Sequence, residues 1–176
     1  PGGDTMNPST EEILRAIEEA PSQQVILLPN NKNIIPAASQ TCSLTTKKVV
    51  IIETETIPQG IAAILAFNPG ADLEANSEAM KQAKAGVRTL ALTRAVRGLT
   101  YGAITCQHGD AIVLLDEELV ACGPDMVNAL KGALGRFGEG AFEVITIYCG
   151  QQAQPQMTAE LEKLLQKGAP QAQIEV

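Results

Sequence analysis

The sequence predicts an α/β fold in two subdomains, a parallel-sheet α/β/α unit over residues 1–86 and a mixed-sheet α/β unit over residues 87–176. Two continuous apolar runs, Val25-Ile26-Leu27-Leu28 and Val49-Val50-Ile51-Ile52, lie between helical stretches, as strands covered on both faces do. From Arg88 onward that grammar gives way to partly alternating segments broken by closely spaced turn signals. The chain has 176 residues, 45 % of them hydrophobic, enough for one domain with a true core or for two small ones.

The first element is a helix. Ser9-Thr10-Glu11-Glu12 forms a capping box, in which the Ser9 hydroxyl accepts from a first-turn N–H while Glu12 reaches back. Ile13, Leu14, Ile17 and Ala20 then share a face, and Pro21 ends the helix. After the run at Val25–Leu28, residues Asn30 to Cys42 are expected to form a helix, followed by the run at Val49–Ile52. Pro58 to Phe67 and Asp72 to Ala85 are two more helices, separated by Asn68-Pro69-Gly70.

In the second half, Arg88 to Ala95 partly alternates and predicts a strand with one covered face. Ala103–Cys106, Ala111–Leu115 and Leu119–Cys122 are further strands, with turns at His108-Gly109-Asp110 and Asp116-Glu117-Glu118. Pro124 opens a helix that places Met126, Val127, Leu130, Leu134 and Phe137 on one face. A strand over Glu143–Cys149, a helix over Pro155–Lys167 and a strand at Ile174–Val176 complete the pattern. The sequence contains no repeat and no low-complexity segment.

Composition narrows the function. Aromatic residues are 3 % and tryptophan is absent, so the core rests on Ile, Leu, Val and Ala, and no stacking platform exists for bases or sugars. A formal charge of -7 and a pI near 4.7 oppose nucleic acid and anionic membrane surfaces, and fit solubility or a basic protein partner. Cys42, Cys106, Cys122 and Cys149 form no CxxC pair, which predicts free thiols and a reducing, cytoplasmic setting. The apolar stretches are too short to span a bilayer, and no signal peptide pattern is present. The start at Pro1-Gly2-Gly3, without an initiator methionine, suggests a piece of a longer polypeptide.

The sequence carries no GxxxxGK[ST] loop, GxGxxG, GxSxG or HExxH, so no catalytic residue and no metal ligand is assigned. His108, the one histidine, reads as a turn residue. Three polar loops stand out because each follows a real or inferred strand and precedes a helix. They are Thr5-Met6-Asn7-Pro8-Ser9, Pro29-Asn30-Asn31-Lys32-Asn33 and Thr54-Glu55-Thr56-Ile57-Pro58-Gln59-Gly60. In a parallel sheet such loops gather at the carboxyl edge, where ligands bind and free helix N–H groups favour an anion. The candidate ligand-binding residues are therefore Thr5, Asn7, Ser9, Asn30, Asn31, Lys32, Thr54, Thr56 and Gln59. The same residue types also serve as plain helix caps, which need no ligand.

These loops carry a specific resemblance. Gly2-Gly3-Asp4-Thr5-Met6-Asn7-Pro8-Ser9, Leu28-Pro29-Asn30-Asn31-Lys32-Asn33-Ile34-Ile35, Thr56-Ile57-Pro58-Gln59-Gly60 and Ala66-Phe67-Asn68-Pro69 resemble the C-terminal region of the bacterial fatty acid kinase A subunit. That family has also been described as dihydroxyacetone-kinase-like or DegV-related fusion proteins, and the resemblance runs along essentially the whole chain. It implies a DegV-like fold and a parent protein whose ATP- and magnesium-dependent kinase domain and middle domain lie elsewhere. It also implies another strand–helix unit ahead of Gly2-Gly3 and a final strand beyond Val176. The implied partner is a fatty-acid-binding protein of the DegV type, which presents its bound acyl carboxylate to the kinase.

Related binders hold that carboxylate with a Thr-x-x-Pro-Ser pattern, whose outline Thr5, Asn7, Pro8 and Ser9 preserve. Their second, Ser/Gly-rich loop is replaced here by Asn30-Asn31-Lys32-Asn33, and Asp4 and Glu55 stand where the family has Gln and often Lys. Bulkier and acidic side chains imply a filled or altered pocket. The leading expectation is a non-catalytic docking module with no cofactor in this segment. Glu11-Glu12, Glu18-Glu19 and Asp116-Glu117-Glu118 are its candidate partner-binding acids. The alternative is a small-molecule or fatty-acid binder using the three polar loops, and an enzyme proper ranks last.

Overall fold

In the computed structural model, which describes residues 7–136, 142–150 and 153–176, the chain divides into two compact units, Pro1–Thr89 and Leu90–Val176. In the first unit α1 (Thr10–Glu19) leads to β1 (Gln24–Leu27), α2 (Ile35–Thr41) to β2 (Lys48–Ile51), and α3 (Ile57–Leu65) to α4 (Leu73–Ala85). β1 and β2 pair in parallel with Val25 opposite Val49 and Leu27 opposite Ile51. The period-2 pleat then sorts the two apolar runs onto two faces. Val25, Leu27, Val49 and Ile51 pack on Ile13, Ile17 and Ala38 of α1 and α2. Ile26, Leu28, Val50 and Ile52 pack on Ala63 of α3 and Met80 of α4. This is an α/β/α sandwich on a two-stranded parallel sheet.

One boundary in this unit departs from expectation. The helix predicted from Asn30 begins only at Ile35, because Asn30 takes a left-handed conformation (φ 57°) and the Asn31 side chain accepts from the Asn33 N–H in a local turn. Pro36 fits only the first helical turn, which fixes the later start. The C-terminal carbonyls of α1 are capped across the unit, where Lys47 Nζ donates to Ile17 O and Glu18 O, both at 2.9 Å.

The second unit is built around an antiparallel sheet of β3 (Leu90–Arg94), β6 (Ala111–Leu115) and β7 (Glu118–Gly123), in the order β3-β6-β7. Asp116 and Glu117, both at positive φ, form the two-residue turn of the β6–β7 hairpin. Helix α5 (Met126–Ala133) covers one face of this sheet through an alanine-rich seam, Ala111 and Ala121 against Ala129 and Ala133. The opposite face carries Ile112 and Leu114. It packs on the hairpin of β4 (Leu99–Tyr101) and β5 (Ile104–Cys106), together with Ala95 and Cys106.

Strand β4 is absent from the sequence-based expectation, since its three residues show no resolvable alternation, and only Gly102 (φ 57°) signals the turn that pairs it with β5. Among the described residues, the expected mixed sheet is instead three small sheets. The last pairs β8 (Val144–Thr146) in parallel with β9 (Gln173–Glu175) across α6 (Pro155–Gly168). The strand expected over Glu143–Cys149 is thus confined to three residues. Pro124 precedes α5 rather than opening it, because Asp125 is the N-cap and its carboxylate accepts from the Asn128 N–H at 2.8 Å. Phe137 lies outside the described residues.

The four cysteines are free. Cys42 and Cys149 are exposed, whereas burial, and then Cys106 and Asp110 beside it, push the Cys122 thiol up to about 12. Among the described residues, no helix is long and apolar enough to cross a membrane.

Candidate functional site

The carboxyl edge of the first unit's sheet gathers the polar loops. Thr54, fully buried just past β2, is the joint between two of them. Its hydroxyl accepts from the Asn30 N–H at 3.0 Å and donates to Asn30 Oδ1 at 2.8 Å, closing a ring across 24 residues of sequence. The left-handed backbone at Asn30 directs both groups at Thr54, and asparagine tolerates that conformation better than most residues do. Beneath the Asn30 side chain sits Gly60 of α3, where any Cβ would stand 2.0 Å from Asn30 Oδ1. Gly60 therefore belongs to the site, although sequence reasoning did not single it out. A glycine inside a helical stretch was the available signal of a close approach.

The remaining loop residues cap helices or each other. Thr56 is the N-cap of α3, accepting from the Gln59 N–H at 3.4 Å, and its hydroxyl pairs with that of Thr89 at 2.7 Å. Gln59 returns to the loop, its Oε1 accepting from the Glu55 N–H at 2.8 Å. Ser9 caps α1 in a complete capping box with Glu12. Asn7 and Lys32 are exposed, and Thr5 lies outside the described residues. Pro8 lines a cavity of about 140 Å³ together with Leu28 and Pro29, so the first and second loops border one another. That volume is well below the ~300–1,000 Å³ usual for small-molecule sites. Among the described residues no buried side-chain nitrogen or oxygen lacks a partner.

The candidate acids fall into two settings. On α1, Glu12 accepts from the Ser9 N–H at 2.8 Å, Glu18 accepts from the Thr45 hydroxyl at 2.5 Å, and Glu19 lies 3.9 Å from Arg15. Glu11 is exposed beside Glu12. In the second unit Asp116 and Glu117 make the β6–β7 turn, and exposed Glu118 begins β7.

The capping box makes a pH prediction. The backbone and side-chain hydrogen bonds of Ser9 hold the Glu12 carboxyl below the usual carboxylate range. A carboxyl depressed in the folded state stabilises α1 above its unfolded pKa, and that contribution is lost as pH falls through the lower, folded value. Carbonyl-carbon NMR of Glu12 should show a titration midpoint below that of the denatured chain. In Ser9→Ala, which keeps the backbone N–H donor and loses only the hydroxyl, the midpoint should rise part of the way toward the denatured one, with a stability loss of ~1 kcal/mol from the lost cap. An unchanged midpoint in Ser9→Ala would remove the Ser9 hydroxyl as a cause and leave the backbone N–H alone.

Chemically, then, the edge is a self-satisfied polar network that locks two βα loops and a helix N-terminus together. Among the described residues no group of three His, Cys, Asp or Glu side chains is placed to hold a metal ion. Fold and site together define a two-unit α/β chain with the loop polarity of its first unit turned inward on itself. The family model for C-terminal domains like that of the fatty acid kinase A subunit matches residues 1–176, and the chain belongs to that family. It is 32 % identical over 174 residues to an uncharacterized protein of Staphylococcus saprophyticus, covering 99 % of this chain and 32 % of that protein. Uncharacterized proteins of Staphylococcus aureus strains MRSA252 and USA300 are likewise 32 % identical over 175 residues, with 99 % and 32 % covered. The chain thus spans about a third of the length of these curated relatives.

Proposed function

We propose that this chain is the non-catalytic docking domain of a fatty acid kinase subunit, with a DegV-like arrangement of its two units. It captures a fatty-acid-binding protein of the DegV type in the cytoplasm, so that the bound acyl carboxylate reaches the ATP- and magnesium-dependent kinase domain elsewhere in the parent. The observation that carries this reading is the closed polar edge. Thr54, Asn30, Thr56 and Gln59 spend their hydrogen bonds on one another and on helix ends, which leaves folded surface as the element free to act. Both units share the acidic excess behind the formal charge of -7, so charge is presented by folded faces rather than by a tail. Such a surface chiefly raises the association rate with a basic partner face.

The test is association kinetics of the full-length kinase subunit with its fatty-acid-binding protein at low and high ionic strength. The on-rate should fall tenfold or more with salt. Neutralising Asp116→Asn, Glu117→Gln and Glu118→Gln together, or Glu11→Gln with Glu18→Gln and Glu19→Gln, should lower the on-rate and flatten the salt response. Association that ignores salt and both sets of substitutions sinks the electrostatic part of the reading. Acyl chains recovered from the kinase subunit in the absence of its partner would favour a lipid-binding role.

A further inference from the structure

Helix α3 is inverted. Its buried positions are its two smallest kinds of residue, Gly60 and Ala63, while Ile57 (63 % exposed), Ile64 (59 %) and Leu65 (79 %) face outward. Ile57, Ile61, Ile64 and Leu65 follow the i, i+4, i+7, i+8 spacing of one helical face, and Gln59 is the helix's only polar side chain. Just past the helix, Phe67 is 44 % exposed and extends this face. The face continues into a groove of about 400 Å³, lined by Ile64 and Phe67 on one side and by Ile26 and Leu28 of the β1 segment on the other.

A helix that is apolar all round belongs in a buried setting, and an exposed apolar band of this kind marks an interface. The inward side cannot take the large residues, because Asn30 fills the space over Gly60. The outward isoleucines and leucine are therefore no compensation for the core.

We infer that the outer face of α3, with the groove beside it, is the permanent interface of this domain with the remainder of its own polypeptide. The relatives are about three times as long as this chain, so the covering partner is covalently present at all times. The composition fits that assignment. Permanent interfaces are apolar, like a domain core cut in half, whereas separable partners use more polar faces. An uncovered apolar face of this kind on a protein that repeatedly releases its partner would invite aggregation. The inference rests on membership of the longer family protein and not on the docking reading.

The experiment uses the full-length kinase subunit without its partner, carrying Leu65→Cys or, independently, Ile57→Cys. Each thiol is labelled with a maleimide in native buffer and in denaturant, and the site is followed by peptide mass. Both positions should label at least tenfold more slowly in the native protein than in denaturant, at every protein concentration tried. Labelling near the denatured rate at both positions overturns the inference. So does protection that grows with protein concentration, which assigns the face to a second copy, or protection that appears only when the fatty-acid-binding protein is added. Because the first labelling is done without that partner, which is added only in a second arm, failure here leaves the salt-dependent docking test standing, and the reverse also holds.

Discussion

Gly60→Ala is expected to destabilise the first unit by about 2 kcal/mol, reversing the sign such a change has in an ordinary helix. Exchanging a helical glycine for alanine normally gains up to ~1 kcal/mol through backbone entropy. Here the new methyl would stand 2.0 Å from Asn30 Oδ1 and 2.7 Å from its Cγ. The neighbour is a side chain, so it can swing aside, but only by breaking its bond with Thr54, whose hydroxyl is fully buried. The Thr54 hydroxyl keeps the Asn30 N–H as its donor but loses the acceptor of its own proton, and a buried donor left unsatisfied costs ~1–3 kcal/mol, which outweighs the helical gain.

Asn30→Gly separates these terms, because glycine accepts the φ of 57° and removes the clashing amide. In that background Gly60→Ala should be neutral or stabilising, giving a coupling of ~2 kcal/mol in the double-mutant cycle. Denaturant melts of the four proteins supply the numbers. Additive effects would mean that the lock between Asn30 and Gly60 does not exist.

That lock also marks the limit of what the sequence discloses. The two strands of the first unit are legible because a parallel sheet with helices on both faces demands unbroken apolar runs, and Val25–Leu28 and Val49–Ile52 are such runs. The capping box at Ser9 is legible because it is local, its partners three residues apart. The ring between Asn30 and Thr54 is not local. It joins residues 24 apart, and in the sequence Asn30 looks like the start of a helix rather than the left-handed hinge that it is. The second and third polar loops do meet at the carboxyl edge. What holds their shape, however, is a glycine far along the chain, in a helix whose sequence speaks mainly through its apolar content. Strand β4 escapes for the opposite reason: Leu99-Thr100-Tyr101 is too short to show a period at all.

Gly123→Ala is expected to cost the second unit about 3 kcal/mol, and here the obstacle is main chain. A Cβ at Gly123, the last residue of β7, would stand 2.8 Å from the Ala129 nitrogen, 3.1 Å from the Asn128 carbonyl carbon and 3.2 Å from Ala129 Cα. None of these atoms can rotate away, so α5 itself must move off the sheet. The seam it would leave is the alanine-lined contact of Ala111 and Ala121 with Ala129 and Ala133, all buried, and interiors packed at this density transmit a shift instead of absorbing it. A core this poor in aromatics gains its contacts by close approach of small residues, which makes the glycine at the end of β7 a requirement of the packing. The denaturation midpoint should drop with little change in slope. Gly135→Ala, whose Cβ would meet nothing within 4 Å, should leave it nearly unchanged. Adding Ala129→Gly should not rescue Gly123→Ala, since the clash is with backbone atoms that every residue shares. Rescue by that substitution, or a loss below ~0.5 kcal/mol for Gly123→Ala alone, would mean that α5 does not sit against β7 as closely as these distances require.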